Sequence, residues 1–160
     1  MTDPNLTTFI ISTIRRPTLE RALKSVKDLP HLIGYDDHHE GPGAVRNRLI
    51  AQAATLWVSF LDDDDSITED YVERLQEEIE KTPYADVIHF RQYFLRGHIL
   101  PSWPIVEWGN VGIAYSIQRE VALQFPFRDV KYEDYDQVKR VSDAGKAVVF
   151  SPYITYRVRH

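Results

Sequence analysis

Runs of apolar, β-branched residues alternate along this chain with segments whose apolar residues recur at helical spacing. That alternation limits the possible folds more than any other feature. Leu6–Thr13 (LTTFIIST) and Leu56–Leu61 (LWVSFL) have the composition of strands buried on both faces. Pro17 stands where a helix would begin, and Leu19, Ala22, Leu23 and Val26 follow at helical spacing. HLIGY, from His31, is a short second strand, and Pro42 then opens GAVRNRLIAQAA, in which Val45, Leu49 and Ala53 lie four apart. ITEDYVERLQEEIEKT reads as a helix with Val72, Leu75 and Ile79 on one face. ADVIHFRQYFL and HILPSW read as strands on either side of an Arg96-Gly97 turn, and VGIAYSI as another strand. YEDYDQVKRVSDAG is helical and stops at Gly145, before two final strands, KAVVFS and YITYRV. Serial βα units predict an α/β fold, a mostly parallel sheet flanked by helices, with ligands bound beyond the carboxyl ends of the strands.

At 160 residues the chain is long enough for one compact domain spanning positions 1–160. It has no cysteine, which removes disulfides, thiolate zinc sites and thiol nucleophiles. Apolar runs are too short for a membrane span and Met1–Leu6 is polar, so neither a transmembrane helix nor a signal peptide is expected and a cytoplasmic location follows. A net charge of −5 argues against a nucleic-acid partner, which would need a basic face to neutralise phosphates. Small anionic ligands met by local arginines are compatible with it.

The strand LWVSFL runs directly into Asp62, Asp63, Asp64 and Asp65. Neighbouring like charges at 4 Å repel by about 1 kcal/mol in bulk water and about 4 kcal/mol at the effective dielectric of a protein surface. Three readings account for them. Ser66 with Glu69 forms a capping box, and acids at a helix start complement the helix dipole, although this does not require Asp62–Asp65. An EF-hand loop would take Asp62, Asp64, Ser66, Thr68, Asp70 and Glu73, but Ile67 stands where the loop needs glycine, and a strand leads in. A divalent-cation site offsets the repulsion with the ion itself and leaves positions open for water and substrate phosphates.

TTFIISTIRRPTLERALKSV, GPGAVRNRLIAQAATLWVSFLDDDD and YEDYDQVKRV with YITYRVRH resemble, in order, the successive blocks of a family 2 glycosyltransferase of the GT-A fold. The resemblance runs over most of the chain. It implies an inverting enzyme, a hexosyltransferase that moves a sugar from a nucleotide-sugar donor, commonly a UDP-sugar, to a saccharide or other hydroxyl acceptor with the help of Mn²⁺ or Mg²⁺. The family's DXD motif falls on Asp62 to Asp64, with Asp64 and Asp62 as metal ligands and Asp62 or Asp63 reaching the ribose or sugar. Its ED motif matches Glu133-Asp134, with Asp134 as the general base and Glu133 or Asp136 as the alternatives. His160 occupies the place of a histidine facing the metal.

Arg46 and Asn47 match the family's ARN, close to the nucleotide diphosphate. The competing reading of Arg46 is a surface arginine on an amphipathic helix. Thr13 and Arg15 belong to the nucleotide-binding segment after the first strand, where Ser12-Thr13-Ile14-Arg15-Arg16 lacks the family's aromatic residue. Between Leu29 and Arg46 the chain has only PHLIGYDDHHEGPG where the family has an acidic uracil-binding motif and a further βα unit. Either Asp36 and Asp37 are that motif with the following unit deleted, or the second strand is lost; a His and carboxylate metal cluster in DDHHE is a third reading. Trp103 and Trp108 serve either as packing or as an acceptor platform. Two other functions fit parts of the pattern. One is a noncatalytic nucleotide-sugar or carbohydrate-binding protein, which would need no base. The other is a nucleotidyltransferase, which would ordinarily carry a glycine-rich loop where STIRRP stands.

Overall fold

The computed structural model describes residues 2–159. In chain order the elements are β1 (Thr7–Thr13), α1 (Leu19–Val26), β2 (His31–Tyr35), α2 (Pro42–Gln52), β3 (Trp57–Phe60), β4 (Ser66–Ile67), α3 (Tyr71–Lys81), β5 (Val87–Phe94), β6 (Ile99–Leu100), β7 (Tyr115–Gln118), α4 (Arg119–Gln124), α5 (Glu133–Asp143) and β8 (Val148–Val158). The strands form one sheet in the order β2-β1-β3-β7-β5-β8-β4, with β6 on β5. The three longest ladders, β1–β2, β1–β3 and β5–β8, are parallel. β7 is antiparallel to both β3 and β5, and β4 and β6 also pair antiparallel, so the sheet is mixed. The reversal at β7 has a simple cause. The segment between β6 and β7 contains no helix to carry the chain back across the sheet, so β7 enters from the carboxyl edge and runs the other way.

Successive side chains of β1 and β3 point to opposite faces and are buried on both. On one face Phe9 meets Tyr71 of α3 at 5.0 Å, and Tyr71 meets Phe90 at 4.9 Å. The same face carries a buried hydroxyl chain in which Thr7 bonds Ser59, Ser59 bonds Ser116, and Ser116 bonds Tyr71. On the other face Phe60 packs edge-on against Tyr115 and Phe127. There α2 lies close to β1 and β2 because Gly34 leaves room: a Cβ on Gly34 would sit 2.4 Å from Val45 Cγ1. The predicted stripe of α2 holds, since Val45, Leu49 and Ala53 are all buried.

Three sequence expectations change, and one element is unforeseen. The Ser66–Glu69 capping box is absent: Ser66 and Ile67 are held as β4 by Arg157 and Tyr156 of β8, and α3 starts at Tyr71 with Asp70 as its cap residue. KAVVFS and YITYRV are one strand, β8, which passes Pro152 by a bulge in which Phe150 pairs with His89 and Ile154 with Arg91. HILPSW shrinks to the two residues of β6. REVALQ, which carries no apolar stripe long enough to read, forms α4. Among the described residues no helix is long and apolar enough to cross a membrane.

Candidate active site

Strand β3 ends where β1 and β2 also end, and α5 begins at the same edge of the sheet. Together they enclose a cleft of about 610 Å³, walled by Thr13, Arg16, Asp36, Arg46, Asp62–Asp64 and Glu133 among others. The four aspartates diverge on leaving β3 because each has a different partner. Asp62 accepts from Arg46 Nη2 at 2.8 Å. Asp63 turns inward and accepts from Thr13 Oγ1 at 2.7 Å. Asp64 accepts from Arg16 Nη1 at 3.1 Å, and its carbonyl accepts from Arg21 Nη2 at 2.7 Å. Asp65 is buried and accepts from the Tyr156 hydroxyl at 2.9 Å and the Arg159 N–H at 3.0 Å, while the same Tyr156 oxygen accepts the Asp62 N–H. Burial, with the Asp62 charge adding to it, pushes the Asp65 carboxyl up to about 7. Carboxylate oxygens of Asp62, Asp64 and Asp65 lie within 4.8 Å of one another, a hard oxygen donor set suited to Mg²⁺ or Mn²⁺. Asp65 joins this set although sequence reasoning did not select it; only its place in the acidic run pointed to it. His160 lies outside the described residues.

Arg46 is neither a surface residue nor a free cation. Its side chain is 5% exposed and bridges two carboxylates, Asp62 at 2.8 Å and Glu133 Oε1 at 2.9 Å. Helix α2 packs so closely on β1 that position 46 faces the cleft from below. Asn47 works on the backbone, donating to the Phe127 carbonyl and accepting its N–H, both at 2.9 Å. These two residues draw the start of α5 against the end of β3.

Asp134 follows Glu133 into α5, and among the described residues its carboxylate accepts one hydrogen bond, from the Tyr135 N–H at 2.7 Å. Burial pushes it up to about 6, and the neighbouring Glu133 charge contributes. Asp136 is committed elsewhere, paired with Arg128 and with Arg140 Nε at 2.9 Å. Tyr132, just before the pair, has a left-handed backbone with φ of 62°, a costly conformation for a bulky residue, and turns the chain into the cleft.

The expected nucleotide-side positions Arg15 and Asp36 separate. Arg15 does not line the cleft; with φ of 64° it swings outward to pair with Asp37 and sit over the Tyr35 ring at 4.0 Å. Arg16 takes the place beside the aspartates. Asp36 does line the cleft, directly after β2, with its carboxylate accepting the Glu40 and Gly41 N–H groups at 2.7 and 3.0 Å. The second strand is therefore present, leading straight into the turn before α2, and DDHHE forms no metal cluster among the described residues. Trp103 and Trp108 are 61% and 66% exposed, so neither belongs to the core, and Trp108 packs edge-on against Tyr132 at 5.8 Å.

The profile of glycosyl transferase family 2 matches residues 30–132. No curated protein sequence matches the chain. Among solved structures, S. aureus TarS 1–349 in complex with UDP-GlcNAc is similar with a TM-score of 0.79 at 13% identity, over 96% of this chain and 58% of that one. S. aureus TarS 1–349 gives 0.75 at 15% identity, over 96% and 60%. Mannosyltransferase PcManGT from Pyrobaculum calidifontis, in complex with GDP-Man and Mn²⁺, gives 0.73 at 13% identity, over 99% and 59%. The chain thus spans about three fifths of the length of these structures. Identities this low speak for the fold, the mixed α/β sheet of GT-A enzymes. The profile covers most of the chain and the fold agrees with it: the chain belongs to glycosyl transferase family 2.

Proposed function

We propose that the protein is a metal-dependent, inverting glycosyltransferase that moves a hexose from a nucleotide-sugar, a UDP-sugar, to a hydroxyl of a saccharide acceptor. The observation that carries this reading is the Arg46 bridge. It ties the acidic turn after β3 to Glu133, which lines the same cleft and directly precedes the candidate base Asp134 in α5. TarS with UDP-GlcNAc and PcManGT with GDP-Man and Mn²⁺ support the choice of donor class and cation.

Asp62, Asp64 and Asp65 would hold Mn²⁺ or Mg²⁺, which when bound supplies Lewis-acid neutralisation of a diphosphate leaving group. Arg16, half exposed beside Asp63 and Asp64, offers a guanidinium to phosphate oxygens. Thr13 and Asp63 fix each other and shape the floor of the cleft. Asp36 closes the base-binding end, its backbone-bonded carboxylate still presenting acceptor lone pairs. Asp134 is the general base. The acceptor oxygen bonds the anomeric carbon as its proton passes to the Asp134 carboxylate, and the bond from that carbon to the diphosphate breaks with its electron pair leaving on the phosphate. Attack from the side opposite the leaving group inverts the centre. An elevated value of about 6 makes Asp134 a stronger base than an ordinary carboxylate while leaving it ionised at neutral pH. Glu133 is bound to Arg46 and Asp136 to two arginines, which supports Asp134 over either for the role.

The test compares calorimetric UDP binding with Mn²⁺ or EDTA and sugar transfer by wild type and Asp134→Asn. Donor binding is expected to need the metal and to survive the substitution, while transfer falls about 10²- to 10⁴-fold. NMR of the new anomeric linkage reads inversion. Metal-dependent binding without transfer by wild type, over a broad acceptor panel, would favour a nucleotide-sugar-binding module instead.

A further inference from the structure

A second hollow, of about 270 Å³, shares no lining residue with the cleft and is walled by Arg91, Pro101, Trp103, Pro104, Phe150 and Pro152. Its floor is the β8 bulge: Phe150 pairs with His89 and Ile154 with Arg91, so residues 151–153 leave the ladder and open a space beside β5. Its wall is the loop between β6 and β7, which is held rigid from inside. The buried Asn110 side chain accepts the Ser102 N–H at 2.7 Å and donates to the Trp103 and Ile105 carbonyls at 2.8 and 2.9 Å.

Arg91 donates through Nε to the Pro101 carbonyl at 3.3 Å. Among the described residues its two terminal nitrogens have no hydrogen-bond or ion-pair partner, unlike the guanidinium groups of Arg16 and Arg46 in the cleft. The hollow thus combines an exposed indole, three proline rings and one uncommitted guanidinium. Buried contacts and one surface loop link it to the start of α5. The His89 ring stacks on Phe150 at 5.6 Å and lies 5.7 Å from Tyr115, whose hydroxyl bonds Gln137 of α5 at 2.6 Å. The loop that supplies Trp103 also supplies Trp108, in contact with Tyr132 next to Glu133. One ordered loop therefore runs from the catalytic carboxylates to this hollow.

Resting on the transferase reading above, we propose that the hollow is a distal acceptor subsite for one sugar ring bearing an anionic group, a uronate carboxylate or a phosphate. The indole and proline faces offer a flat apolar surface to the ring, and Arg91 meets the anion with a planar fork. The volume suits a monosaccharide unit rather than a nucleotide, being below the about 300–1,000 Å³ of pockets for drug-sized ligands. An acceptor with its reactive hydroxyl near Asp134 and its far end here would be an oligosaccharide lying along the loop past Trp108.

The chain has three tryptophans, so indole N–H NMR signals report the site directly, with Trp103→Phe assigning its peak. The probes are a tetrasaccharide of alternating glucuronate and N-acetylglucosamine, mannose 6-phosphate, and neutral chitotetraose. The expected result is a saturating shift of the Trp103 signal with the uronate probe, the phosphate probe or both, at least tenfold tighter than with chitotetraose. Arg91→Gln should weaken the anionic probes about ten- to a hundredfold, with Arg91→Lys in between. Response to the uronate alone identifies a carboxylate subsite, and to the phosphate alone a phosphate subsite. A Trp103 signal unmoved by both anionic probes, or moved equally by the neutral one, overturns the proposal, and the wild-type titrations suffice even where an Arg91 variant fails to fold. UDP binding with Mn²⁺ on the same sample tests the transferase reading separately.

Discussion

Replacing Arg46 by alanine is the perturbation that separates a clamp from a phosphate ligand. The guanidinium is 5% exposed and spans Asp62 and Glu133, which are 37% and 23% exposed. Removing one partner from a buried ion pair costs about 3–5 kcal/mol, because the remaining charge is stranded. Here two carboxylates would be stranded, but both keep a face toward the open cleft and can hydrate, so about 3 kcal/mol, the low end, is expected. For a domain of this size each kcal/mol moves the melting temperature by about 2–4 °C, giving a fall of about 6–12 °C. Differential scanning fluorimetry in metal-free buffer measures it, with urea unfolding as the equilibrium check. The Asp62→Asn variant should lose less, and the double variant should recover part of the Arg46→Ala loss, because it strands one charge fewer. If Arg46→Ala instead melts within 2 °C of wild type (under about 1 kcal/mol) while UDP affinity drops, the guanidinium serves the phosphates and the clamp is refuted.

Gly34→Ala would drive a Cβ to 2.4 Å from Val45 Cγ1 and 3.1 Å from Leu49 Cδ1, so unfolding in urea should show a loss of about 1–3 kcal/mol from overpacking between β2 and α2. Asp134, raised to about 6 in the fold against 3.8 as its ordinary value, binds its proton more tightly folded than unfolded. Its cost to stability is therefore absent below about 4, grows between about 4 and 6, and is full above that. Asp134→Asn should melt increasingly above wild type as pH rises from 4 to 7, and a gap independent of pH would show that the carboxyl titrates normally. EDTA should leave the melting temperature unchanged, because each of the four aspartates has a protein partner without any ion.

Much of this architecture is written locally. β1 and β3 are continuous apolar runs, α2 begins at a proline and buries residues four apart, and Gly145 closes α5, so short windows suffice to read them. The acidic turn was legible because four like charges at a strand end need a reason. What escaped the sequence depends on distant partners. Ser66 looks like a helix cap until β8, about ninety residues on, claims its backbone. Arg15 and Arg16 are indistinguishable as letters, and only the positive φ at Arg15 decides which of them enters the cleft. Arg46 reads as a helix-surface residue by periodicity, and its burial follows from the contact of α2 with β1 and from two acids at positions 62 and 133. Arg91 sits in a strand where nothing local shows that its terminal nitrogens face a hollow made by a bulge on another strand.

The aspartate run is tolerated because its repulsion is divided among partners from every part of the chain. Arg16 and Thr13 come from the end of β1 and just beyond it, Arg46 from α2, Tyr156 and Arg159 from β8 and its end. Repulsion of about 1–4 kcal/mol per adjacent pair is of the same order as the about 1.5–3 kcal/mol contributed by each charge-assisted hydrogen bond, so the protein alone offsets it. An incoming cation then competes for Asp62 and Asp64 with arginines that already neutralise them. A diphosphate changes that balance, since it brings negative charge that Arg16 can turn to as the cation takes the carboxylates. Cation and nucleotide should therefore bind synergistically: each makes room for the other, and the cleft holds its charge in check until both arrive.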